Sequence, residues 1–96
     1  MTDKTVAITI LKQLGGKRFM VMTGAKGFLA LDDGMAFSIP KGANGIRRIK
    51  ITLNSMDLYD MEFYSLSGKS LKKVNNVYND QLQDIFTAET GLYTHL

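Results

Sequence analysis

The sequence predicts an α+β domain, with an N-terminal helix, an antiparallel sheet of about five or six strands and a C-terminal helix packed on one face. Three observations predict it. Residues 45–65, GIRRIKITLNSMDLYDMEFYS, alternate apolar and polar side chains on both sides of a short turn, as a half-buried hairpin must. Tyr78, Leu82, Ile85, Phe86 and Tyr93 recur at helical spacing near the end of the chain. Between the termini, short apolar runs are punctuated by Gly, Asp and Pro, the residues that turn a chain between strands.

Taken in order, residues 2–14 carry β-branched side chains that suit a strand, yet Val6, Ala7, Ile10, Leu11 and Leu14 fall at helical spacing. Thr2 or Asp3 can cap a helix there and Gly15-Gly16 can stop it, so helix is favoured. Arg18–Thr23, Phe28–Leu31 and Met35–Ile39 read as three short strands. Phe19-Met20-Val21-Met22 is apolar on consecutive positions, as a strand covered on both faces would be. Asp32-Asp33-Gly34 signals a hairpin, because Asp-Gly tolerates positive φ. Pro40 to Gly45 forms a turn-rich loop.

The hairpin follows. With Asn54-Ser55-Met56 as its loop, Ile51 would face Tyr59 and Ile49 would face Met61, setting Lys50 opposite Asp60 and Arg48 opposite Glu62. Ser67-Gly68-Lys69-Ser70 reads as a turn and Leu71–Val74 as a further strand. The final helix is capped by Asn76 or Asn79, ends at Gly91 with Leu92 folding back, and covers Ile49, Ile51, Leu53, Met61 and Phe63.

Residues 1–96 therefore read as a single domain, 45% hydrophobic and 22% charged, the composition of a globular protein with one core. No apolar run approaches the roughly 18–20 residues of a membrane span, and the N-terminus resembles neither a signal nor a transit peptide. The absence of cysteine removes thiolate catalysis, disulfides and Cys-based zinc sites, and fits a cytoplasmic protein.

The chemistry-bearing fragments have plain readings. Gly68-Lys69-Ser70 lacks the earlier glycine of a phosphate-binding loop, since Phe63 stands where it should be. Asp57, Asp60 and Glu62 share the hairpin with Lys50 and Arg48, which compete with a cation for their oxygens. His95, the sole histidine, is penultimate and has no evident orienting partner. Six methionines are better explained as core filling than as an adaptable binding surface. The expectation is a non-enzymatic protein without cofactor or metal.

The formal charge is +3, a mild basic bias. Lys17, Arg18, Lys26, Arg47 and Arg48 fall around the loops and could line a basic rim that tracks phosphates, with Tyr59 or Tyr64 near the bases. This points to a nucleic-acid-binding accessory protein, its partner single-stranded or duplex nucleic acid. The alternative is a protein-interaction or assembly module that binds another protein through a sheet edge or apolar patch, and a free edge also makes a homodimer plausible.

Three segments, ILKQLGGKRFMVMTGAKGF (10–28), IKITLNSMDLYDMEF (49–63) and VYNDQLQDIFTAETGLYTHL (77–96), resemble a family of small uncharacterised proteins of phage, prophage and other mobile elements. The resemblance spans nearly the whole chain and implies a bacterial or phage intracellular origin, a host or phage protein as the alternative partner, and the same helix–sheet–helix order. It implies no established activity and assigns no residue a catalytic role.

Overall fold

The computed structural model describes residues 5–92. Thr2, Asp3, Tyr93 and His95 lie outside the described residues. The fold is α+β: helices α1 (Thr5–Leu14) and α2 (Lys17–Thr23), strands β1 (Lys26–Leu31), β2 (Gly34–Ser38), β3 (Ile46–Leu53), β4 (Tyr59–Ser65) and β5 (Ser70–Val77), then helix α3 (Leu82–Thr90). The strands form an antiparallel meander in which each pairs with the next in sequence, β1-β2-β3-β4-β5.

Alternation decides which face is buried. Met35 and Phe37, Ile49 and Ile51, and Tyr59, Met61 and Phe63 all point under the helices and are buried. The helical layer completes that core with Ala7, Ile10, Leu14, Phe19, Leu82 and Phe86. Phe19 is its pivot: its ring meets Phe37 edge-on at 5.5 Å and Phe86 at 5.1 Å. The three helices share this face, so α3 does not cover β3 and β4 alone. Gln83 of α3 reaches the Gln13 carbonyl of α1, and Lys72 of β5 pairs with Glu89 of α3 at 3.9 Å.

Residues 18–23, expected as a strand, are helical. Apolar side chains on consecutive positions carry no period, and Met and Arg are good helix formers, so tertiary contacts decide. Phe19 and Thr23 turn inward while Val21 is 74% exposed, a one-sided burial that a strand covered on both faces would not show.

Helices α2 and α3 end in one way. Thr23 donates its hydroxyl to the Phe19 carbonyl at 2.7 Å and accepts the Ala25 N–H, while Gly24 takes the left-handed cap. Thr90 repeats this on Phe86 and Leu92, with Gly91 as cap. Phe-x-x-x-Thr-Gly is thus a helix stop written twice, and it includes the Gly91 ending expected from sequence.

The β3–β4 register differs from the expected one by two residues. Leu53 pairs with Tyr59, Ile51 with Met61 and Ile49 with Phe63. The cause is Asn54, whose Oδ1 accepts the Met56 and Leu58 N–H groups and so extends the loop to residues 54–58. Its Nδ2 donates to Asp60 and to Asn76, and the Asn76 N–H also donates to Asp60. A shift of two keeps every side chain on its face but moves its cross-strand partner by one place. Lys50 therefore lies opposite Glu62, and Arg48 opposite Tyr64; Asp60 lies opposite Thr52.

The Asp32–Gly34 hairpin forms, although Gly34 does not adopt positive φ. Glycine is required there because the β3 backbone passes against it: a Cβ would collide with the Ile51 carbonyl oxygen and lie 2.7 Å from Thr52 Cα. At the start of α3, a 3₁₀ turn at Asn79–Gln81 precedes the helix, and the Tyr78 N–H donates to the Gln81 side chain in place of an Asn76 or Asn79 cap. Tyr78 itself is exposed, outside the apolar stripe.

Candidate nucleic-acid interface

The sheet face opposite the helices is uncovered, and its relief follows from β2. On that face β2 presents Gly34, Ala36 and Ser38, three of the smallest side chains available. Longer side chains stand on either side, and the result is an open concavity of about 580 Å³ lined by Leu29, Ser38, Arg48, Lys50, Tyr64 and Gly68 among others.

Register arranges the face around this concavity in two rows that cross all five strands. One runs Leu29, Ala36, Lys50, Glu62, Lys73, and the other runs Lys26, Ser38, Arg48, Tyr64, Ser70. Neighbours within a row are about 5 Å apart between strands and the rows are about 7 Å apart along them. Arg48, Lys50 and Lys73 therefore lie beside Tyr64 and Glu62, with Lys26 at the far end of the Tyr64 row. A bulge in β3 between Ile46 and Arg48 places Arg47 and Arg48 consecutively between the buried Ile46 and Ile49, with Arg47 half-buried at the end of the strand.

Glu62 is tied into the face. The Ser70 hydroxyl donates to its Oε2 at 2.7 Å. That bond, then the attraction of the Tyr64 hydroxyl, holds the Glu62 carboxyl below its usual range, with Lys73 and Lys50 adding attraction. The reciprocal effect of the Glu62 carboxylate raises the Tyr64 phenol. Tyr64 is thus a neutral ring on the same face as Glu62, one row along β4.

Of the residues expected to contact nucleic acid, Lys26, Arg48 and Tyr64 come together in one row, with Arg47 beside them. Lys17 and Arg18 are exposed on α2, in the layer that covers the other face of the sheet. Tyr59 is buried under the helices, 6% exposed; burial pushes its phenol up, with the nearby Gln13 side chain pulling the other way. Lys50, expected opposite Asp60, and Lys73 join the face. Recognising Asn54 as the start of a longer loop would have released Lys50 from Asp60 and exposed the row.

Compared with protein-family models, curated proteins and solved structures, the chain matches none. Among the described residues no helix is long and apolar enough to cross a membrane.

Proposed function

We propose that this is a non-enzymatic accessory protein that binds single-stranded nucleic acid on the open sheet face, of the kind carried by phage and other mobile elements. The observation that carries the reading is the pair of rows placing Lys26, Arg48, Lys50 and Lys73 on one open face with Tyr64, where Arg48, Lys50 and Tyr64 line the concavity. Cations on such a face attract phosphates, and an aromatic ring gives an unpaired base a stacking surface. Shape favours a single strand over a duplex. Reading a duplex groove requires a protruding helix or ribbon, whereas a trough receives splayed bases.

The test is fluorescence anisotropy with a labelled single strand from about 20 to 200 mM salt, where four phosphate contacts give a log–log slope of about −3. Arg48→Ala/Lys50→Ala should bring the slope to about −1.4, while Lys17→Ala/Arg18→Ala leaves it unchanged. Absence of binding at the lowest salt, or equal weakening by both double variants, rejects the proposal.

A separate feature favours the second reading, a protein-interaction module. Ala7, Ile8 and Leu11 of α1 and Phe28, Ala30 and Met35 of the sheet line an apolar groove of about 250 Å³. Ile8 is half-exposed beside it, next to the free edge of β1. Loss of a partner on Ile8→Glu, with nucleic-acid binding absent, would support that reading instead.

A further inference from the structure

Lys26, Arg48, Lys50 and Lys73 on the open face are donors only: lysine and arginine offer protons and accept none. Two carboxylates share the face, Asp60 and Glu62; Asp60 is taken up by the Asn54 side chain and the Asn76 N–H, which leaves Glu62 at the centre of its row. Lys50 and Lys73 flank it on the neighbouring strands, and Tyr64 follows two residues on, on the same face of β4. The Ser70 hydroxyl occupies part of its capacity, but a carboxylate has about four acceptor positions. Such a group cannot contribute to phosphate affinity; it repels phosphate. Its chemistry suits a base that presents N–H groups.

Resting on the nucleic-acid reading above, we infer that Glu62 selects guanine for the position stacked on Tyr64. The complementarity is directional. The pairing edge of guanine offers two adjacent donors, N1–H and N2–H, beside the O6 acceptor. A carboxylate takes both donors, and a lysine in the same row, Lys50 or Lys73, takes O6. Adenine, cytosine and thymine each place an acceptor where guanine places one of these donors, which sets a lone pair against the carboxylate. Tyr64 lies two residues from Glu62 on the same face of β4, so stacking and edge recognition fall on one nucleotide.

The experiment compares short oligo-dT strands carrying one central dG, deoxyinosine, dA or dC, which avoids guanine self-association. A bidentate contact makes the dG strand bind about tenfold more tightly than the dA or dC strand. Deoxyinosine, which lacks the N2 amino group, should fall between them. Glu62→Ala should bring all four strands to within about twofold while binding them at least as tightly, because a negative charge is removed. The readouts separate the two claims. Equal binding of the four strands by the unaltered protein, with its salt dependence intact, overturns guanine selection and leaves single-strand binding standing. A dG preference that survives Glu62→Ala assigns the selectivity elsewhere and also overturns the inference. If no strand binds at low salt, both claims fail. The inosine comparison needs no altered protein, so it tests the contact even if the variant is misfolded.

Discussion

Gly34→Ala adds a single carbon to the sheet, and the structure sets its cost. The new Cβ would collide with the Ile51 carbonyl oxygen, 2.7 Å from Thr52 Cα and 2.9 Å from the Ile51 carbonyl carbon. All three obstacles are backbone, so no side-chain rotation relieves them. The β2 and β3 chains must separate locally, in the middle of the sheet, next to the bond from the Leu53 N–H to the Asp33 carbonyl. Overpacking of this kind costs about 1–3 kcal/mol. Each ladder hydrogen bond lost adds about 1 kcal/mol. A total of about 3–5 kcal/mol is a large share of the roughly 5–15 kcal/mol that holds a domain of this size. Urea unfolding followed by circular dichroism should show the midpoint falling with an unchanged slope, and Tm should drop by about 15 °C or more. Gly45→Ala is the contrast, because its Cβ meets open space and only its positive φ is penalised, at about 1–2 kcal/mol. If Gly34→Ala loses less than about 1 kcal/mol, the close approach of β2 to β3 is not what demands glycine.

Two further outcomes can be read with the same assay. Thr23→Val and Thr90→Val each delete a buried hydroxyl and leave the N–H of Ala25 or Leu92 without its acceptor, so each should cost about 1–3 kcal/mol. Tyr59 resists ionisation in the folded chain because it is buried, so the unfolded chain loses that proton first as pH rises past the ordinary value of 10.0. Stability from this group is complete below that value and declines above it, and Tyr59→Phe should reduce the alkaline loss seen in urea titrations. Tyr64, raised mainly by Glu62, contributes in the same direction.

How far the sequence could be read depended on whether local pattern or distant contact decided each element. The faces of β3 and β4 were legible because alternation alone assigns them, whatever the register. The register was not, because it depends on the side-chain bonds of Asn54 within the loop. Likewise α3 announced itself through Leu82, Ile85 and Phe86, whereas α2 was misread because Phe19–Met22 has no period and its state is set by Phe37 and Phe86. At the candidate site, Arg48, Tyr64 and Lys26 could be nominated by residue type. Their grouping with Lys50 and Lys73 could not, since it follows from pairing across the whole sheet. Lys17 and Arg18 were grouped with Lys26 by nearness in the chain, and a helix now intervenes on the opposite layer.

The nearest-neighbour order of the strands also bears on how the chain assembles. Every strand pairing closes a short segment, so the entropy lost at each step is small and the sheet can zip outward from the β3–β4 hairpin. The helices are different: α1 and α2 precede the sheet, α3 follows it, and they meet through Phe19 with Phe86 and Gln83 with Gln13. That meeting is the longest-range contact in the fold and brings the first and last described helices together across the sheet. Wherever the helices are not in place, the apolar face of the sheet is open to other chains.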